Sequence, residues 1–126
     1  MRTWIKIFII VAIIIAVDSV VTSYLNREHE YYEKHLTQLA LYVKNEEPDK
    51  AQDIVDDVYK HWAQSHHIWE TLADHSEVEQ IDILFTKLSK YFPGENEDET
   101  LSDIMELYRL LEFTARRYKI SIVNIL

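Results

Sequence analysis

The chain has 126 residues, with 13 lysines and arginines against 22 aspartates and glutamates, a formal net charge of −9, one glycine, two prolines and no cysteine. That length holds one core and little else. The missing cysteine excludes disulfides, thiolate catalysis, thiolate zinc sites and anchoring through a lipidated cysteine. With so little glycine and proline the chain lacks the punctuation of a sandwich, a barrel or a phosphate-cradling loop, and the expected class is all-α.

Charge is unevenly spread. Two of the basic residues (Arg2, Lys6) and one acid (Asp18) precede position 25, which leaves 11 basic and 21 acidic side chains in the body. A body of that sign repels phosphates, so nucleic acid is excluded as a partner and any electrostatically steered one is basic or cationic.

From Ile7 to Val17 the sequence is unbroken apolar, extended by Trp4 and Ile5 before it and by Val20, Val21, Tyr24 and Leu25 after it. Trp4 to Leu25 rises about 33 Å as a helix, enough to cross a hydrocarbon core of about 30 Å. Asp18 opposes insertion by about 2.5 to 3.5 kcal/mol at a helix centre and by less toward an end, which the apolar run outweighs. Arg2, Lys6 and the terminal amine flank one side, whereas Arg27 and Lys34 on the other are mixed with Glu28, Glu30 and Glu33. The positive-inside rule then puts the N-terminus in the cytoplasm and the body outside. Residues 1–25 are read as an anchor or uncleaved signal and 26–126 as an exported helical domain. A cleaved secretory signal is the competing reading, but no A-x-A site follows the run. A buried core helix of a soluble protein is the third.

Leu25, His29, Tyr32, Leu36, Leu39 and Val43 recur at alternating steps of four and three, the stripe of a helix that pairs with a neighbour. No breaker separates the stripe from the anchor, so one long helix is expected to about Lys44, ending at Asn45 and a Glu-Glu-Pro-Asp turn. Pro48 suits the first turn of the next helix, with Glu46, Glu47 and Asp49 at its positive end. That helix carries Ala51, Ile54, Val55, Val58, Tyr59, Trp62, Trp69 and Leu72. Near Asp74–Glu77 the register slips by about half a turn relative to Ile81, Leu84, Phe85, Leu88 and Phe92. Ser76 with Glu79 matches a capping box and marks a helix start; one continuous helix burying opposite faces at its two ends is the alternative. Pro93-Gly94-Glu95-Asn96 ends this element. Thr100 with Asp103 resembles the start of a last helix, striped by Leu101, Ile104, Met105, Tyr108, Leu111, Ala115 and Tyr118. The apolar tail from Ile120 to Leu126 is expected to dock on the body or on a partner. The whole reads as one transmembrane helix continuing into a three- or four-helix antiparallel bundle.

Six histidines in so short a chain invite a metal hypothesis. A helical two-ligand site needs ligands three or four apart, and His66 with Glu70 and His75 with Glu79 are the pairs singled out at that spacing. Most of these histidines read as solvated or capping groups, and no metal or cofactor is expected. His29 reads as an interfacial residue. Trp62 and Trp69, seven apart, share one helical face and read as core. The serines lack a glycine elbow or a triad context, and the acidic run Glu95, Glu97, Asp98, Glu99 lacks the spacing of a calcium loop.

The stretch from Trp62 to Ile81, with Trp69 and Asp74-His75-Ser76-Glu77-Val78-Glu79-Gln80-Ile81, and the closing Tyr118-Lys119-Ile120-Ser121-Ile122-Val123-Asn124-Ile125-Leu126 resemble the bacterial family catalogued as domain of unknown function 4363. The resemblance implies one N-terminal membrane segment, a helical exported domain, an origin among Gram-positive spore-forming bacteria and no assigned activity. Within it, Asp74, His75, Glu77 and Asn124 are the nominated functional or hinge positions, and a capping role for His75 and Glu77 with Asn124 as a tail anchor is the plainer account. Asp74 and Ser76 depart from the glutamate and aspartate usual there.

These readings together predict a non-enzymatic interaction or scaffold module, single-pass in a bacterial cell membrane, in contact with lipid through residues 4–25 and with a protein partner or a second copy through its helices. A cation-binding or sensing domain built on the histidine and acidic positions is the alternative.

Overall fold

The computed structural model describes residues 2–90 and 96–125, with side chains as far as Tyr118. It consists of α1 (Arg2–Lys44), α2 (Pro48–Leu72), α3 (His75–Ser89) and α4 (Glu97–Ile125), with no strand among the described residues. α1 packs on α2 and α4, and α3 packs on the same two helices, which makes an up-down-up-down four-helix bundle. α1 is about 65 Å long at 1.5 Å per residue, and only its second half belongs to that bundle.

The turns follow local chemistry. Asn45 caps α1, and Glu46 sits at φ 56°, in the left-handed region. Its N–H donates to the Val43 carbonyl while the Glu47 N–H donates to Tyr42, closing a Schellman turn. A glutamate in that conformation costs about 1 kcal/mol relative to glycine. Pro48 then occupies the first turn of α2 without wasting a donor. Asn96, at φ 46°, leads into α4, and asparagine tolerates that region better than most residues.

The chain breaks between α2 and α3 rather than running on. Ala73 and Asp74 are both extended, and the Asp74 carbonyl accepts the N–H groups of Glu77 and Val78 at 3.1 Å. The start therefore lies at His75 with Asp74 as the cap, and Ser76 is already inside the helix, so the Ser76–Glu79 box is not what begins α3. This reversal explains the half-turn slip: Val78, Ile81, Leu84, Phe85 and Leu88 turn back onto the core that α2 faces with Val55, Val58, Trp62 and Trp69.

Three stripes differ from the expected ones. In α1 the position between Leu25 and Tyr32 is filled by Glu28, 4% exposed, while His29 is half-exposed beside Glu33. In α4 the buried series is Ile104, Leu107, Leu111, Thr114 and Ala115; Leu107 is 0% exposed and Met105 61%. Moving the seam from Met105 to Leu107 rotates α4 so that it meets α1 and α3 together. α4 also begins at Glu97, three residues before Thr100. Tyr59, expected in the α2 stripe, is exposed, and Ser65 is buried. Phe92 and Pro93-Gly94-Glu95 lie outside the described residues, as do the tail side chains whose docking the sequence predicts.

α1 is long and apolar enough to cross a membrane, and none of its most apolar window is buried by the bundle. Trp4, Ile7, Phe8, Ile9, Ile13 and Ile14 are exposed on successive faces, unlike the one-sided exposure of a core helix.

Candidate functional site

The polar heart of the bundle is Glu28. It stands on the inward face of α1, and α2 brings His61 and Trp69 to it at two positions on one side of that helix. Tyr24, one turn earlier on α1, donates its hydroxyl to Oε1 at 2.8 Å, and the Trp69 indole N–H donates to the same oxygen at 3.3 Å. His61 Nε2 lies 2.5 Å from Oε2. An ionised carboxylate only accepts, and a buried one is tolerable only when donors surround it; here three converge from two helices. Ser65, one turn later on α2, donates its hydroxyl to the His61 backbone carbonyl at 2.9 Å.

Aromatic rings frame this centre. The Tyr31 ring stacks on His61 at 3.9 Å and on His35 at 4.0 Å, and its hydroxyl donates to the Asp57 carbonyl at 3.3 Å. Burial, then the Asp57 and Glu28 carboxylates, push the Tyr31 phenol up from its ordinary value. Tyr32 lies edge-on to His61 and is 1% exposed. Burial and then Glu28 push its phenol up much further. The Tyr32 hydroxyl has no hydrogen-bond partner among the described residues; Ser65 lies near without meeting hydrogen-bond geometry. Trp62, stacked on Phe85 at 5.0 Å, sends its N–H to Asp82 at 3.0 Å, which ties α2 to α3.

Glu28 is 4% exposed, whereas the His61 side chain is 31% exposed. The void bounded by His29, Tyr32, Trp69, Tyr108 and Leu111 measures about 10 Å³, the size of a single water. Chemically, then, Glu28 can gather donors and hold α1 to α2 in one register, a specifying role that buried polar groups often fill.

The sequence-nominated residues lie elsewhere. His66, Glu70, His75, Glu79 and Asp82 line one open cleft of about 180 Å³ where α2 ends and α3 begins. His66 Nε2 is 3.3 Å from Glu70, His67 Nδ1 is 3.8 Å from it, and these three ligand atoms lie within 4.8 Å of one another. His75 shares the cleft without joining that triplet. Glu77 leaves it altogether and pairs with Arg117 of α4. Asp74 is exposed and caps α3 through its backbone alone. Asn124 falls on the α4 backbone, about 50 positions later, with its side chain outside the described residues. Among the described side chains, Asp74, His75 and Glu77 therefore do not form one constellation.

Glu28 went unnoticed in the sequence because Leu25–Glu28–Tyr32 and Leu25–His29–Tyr32 are equally periodic, and hydropathy favours histidine. The available signal was the supply of donors: Tyr24 one turn before it and Trp69 on the apolar face of the next helix.

A second surface feature is a groove of about 480 Å³ between α1 and α4, lined by Leu36, Thr37, Ala40, Ile104, Met105 and Tyr108 and rimmed by Glu33, Arg109 and Glu112. Its floor is apolar and its rim is mixed in charge.

An antiparallel four-helix bundle on one overlong apolar helix, with a buried acid at its centre, defines the class of protein. The family described as Domain of unknown function (DUF4363) matches residues 19–125, and the chain belongs to it. No curated protein and no solved structure matches the chain.

Proposed function

We propose that this chain is a membrane-tethered helical interaction module, with α1 from Trp4 to Val20 crossing a bacterial cell membrane, the N-terminus in the cytoplasm and the bundle outside; Val21, Tyr24 and Leu25, read from the sequence as part of the span, pack in the bundle instead. The observation that carries the reading is the exposure of apolar side chains on every face of α1 from Trp4 to Val20. Water tolerates no such helix, and lipid suits it. Arg2 and Lys6 on one flank, against mixed charge on the other, favour the stated orientation. Protease added outside intact protoplasts digests the bundle and leaves a short membrane stub; a chain that stays protected until the cells are broken overturns the orientation.

Binding, with no catalytic step, is the role we assign to the bundle. The Glu28 carboxylate is buried and taken up by its donors, whereas the α1–α4 groove offers an apolar floor with Met105 and the nearby Leu41 exposed. A photo-crosslinker at Met105 in intact cells is expected to capture a defined protein partner or a second copy, and a crosslinker at Tyr59 on the opposite helix is not. Equal capture at both positions overturns the groove as the contact face.

One observation favours a cation-binding reading as the second: four sequence-nominated residues, His66, Glu70, His75 and Glu79, line one cleft. Two imidazoles with carboxylates suit zinc or a related divalent ion. Titration of the purified full chain with zinc decides it: stoichiometric binding lost in both His66→Ala and His75→Ala supports a site, and no heat above buffer removes it.

A further inference from the structure

We propose that the last two turns of α4, residues 119–125, lie in the outer leaflet of the membrane alongside α1, so that the protein meets lipid through two helices. This rests on the tether reading above and concerns a part of the chain that reading does not use.

Register is the first argument. The His29 ring lies 6.0 Å from that of Tyr108. Ten residues further along α4, Tyr118 packs at the edge of the core and its phenol is pushed up by burial and then by the Asp18 carboxylate. Asp18 is eleven residues before His29, so the two antiparallel helices stay in step. Carried on, the same register sets Ile125 level with about position 11 of α1, in the middle of the apolar run. From Tyr118 to Ile125 is about 10 Å of helix, roughly a third of a hydrocarbon core.

Among the described residues, neither α2 nor α3 reaches the level of this segment. α2 ends at Leu72 and α3 starts at His75, and the Glu77–Arg117 pair sets that corner level with Arg117. Beyond it, among the described residues, only α1 continues beside α4. The segment itself reads Lys119-Ile120-Ser121-Ile122-Val123-Asn124-Ile125. In water such a helix leaves an apolar surface uncovered; in lipid its backbone is already satisfied by its own hydrogen bonds. Arg116, Arg117 and Lys119 stand just before the apolar turns, where phosphate headgroups lie, and Tyr118 stands where interfacial aromatics gather.

Asp18 supplies an independent sign. From Arg2 to Val20 every residue is exposed except this one, which is half-buried. The single acid in the anchor thus sits where α4 arrives, at the outer boundary and not at a helix centre, so its penalty falls.

Because the chain has no cysteine, single-cysteine variants of the full-length protein report position cleanly. Ile10→Cys, Tyr59→Cys, Ile120→Cys and Val123→Cys are labelled with an environment-sensitive fluorophore in phosphatidylethanolamine–phosphatidylglycerol vesicles. Quenching by doxyl lipid and by aqueous iodide is then compared. The proposal expects Val123→Cys and Ile120→Cys to lose intensity to doxyl lipid and resist iodide, as Ile10→Cys does, with Tyr59→Cys showing the reverse. Iodide quenching at 120 and 123 with lipid quenching at 10 overturns the insertion of α4 and leaves the tether intact. Shielding of 120 and 123 from both quenchers also overturns it, in favour of packing against protein. Iodide quenching at 10 removes the tether and this inference together.

Discussion

α1 is one helix in two solvents. From Leu25 to Val43 it buries a single stripe, Leu25, Glu28, Tyr32, Leu36, Leu39 and Val43, and leaves charged residues such as Arg27, Glu30 and Lys34 outside. From Trp4 to Val17 it has no stripe, because every face is apolar and every face is bare. The same backbone therefore records two partition problems. A one-sided stripe solves burial against other helices, and an all-round apolar surface solves burial in hydrocarbon. Glu28 sharpens the contrast with Asp18. Within the bundle an acid is tolerated because three donors meet it, whereas along the anchor it is tolerated because it lies near the end.

The largest effects should come from the bundle half. Leu107→Ala removes a wholly buried side chain from the α4 seam and is expected to cost about 4 kcal/mol, while Met105→Ala costs under about 0.5 kcal/mol. Denaturant unfolding of the full chain in detergent checks both, and similar losses would return the seam to Met105. Glu28→Ala strands the Tyr24, His61 and Trp69 donors. It should cost about 3 kcal/mol, toward the low end for a broken buried pair, since His61 is 31% exposed and water can reach it. Glu28→Gln keeps an acceptor and should lose less; equal losses in the two variants mean that volume, not hydrogen bonding, holds the centre.

The anchor half should respond in the opposite way. Ile13→Arg disfavours insertion by about 3 kcal/mol and leaves the unfolding midpoint of the bundle unchanged. More of the variant should be released from membranes by alkaline carbonate. A falling midpoint with unaltered membrane retention would show that Ile13 packs in protein and that the two halves of α1 share one environment.

How much of this was legible follows the same division. The long first helix, the turn into α2, the last helix, and Trp62 and Trp69 in the core were readable, since each rests on a period or a breaker. The α2–α3 break was foreseen only as one of two options, because its start depends on two extended residues, Ala73 and Asp74, and a backbone carbonyl, none of which carries a side-chain signature. The α4 seam was misread at Met105 because helical periodicity defines a face only to within about one residue, and contact with two neighbouring helices decides the rest. The cleft of His66, Glu70, His75 and Glu79 could be nominated by spacing within each helix, yet its assembly across the break needed the fold. Glu28 was hidden for a different reason: hydropathy ranks an acid last among core candidates, and only knowledge of which donors face it reverses the ranking.

The smallest expected effect concerns Tyr32. Its hydroxyl is buried without a partner among the described residues, so Tyr32→Phe should be neutral or slightly stabilising near pH 7, because no hydrogen bond is broken and an unsatisfied polar atom is removed. At alkaline pH the variant should diverge from the parent. Burial and the Glu28 carboxylate raise the folded-state pKa of this phenol above its ordinary value of about 10. Between those two values the unfolded chain has released a proton that the folded chain still holds, so stability falls as pH rises. The contribution is whole below about pH 10 and is lost progressively above it. Tyr31, raised in the same direction, adds to the slope. Unfolding midpoints measured from pH 8 upward should decline for the parent from about pH 10, and less steeply for Tyr32→Phe. Identical slopes would mean that the Tyr32 ring reaches water readily, and that this corner of the bundle is looser than its packing against His61 and Phe85 implies.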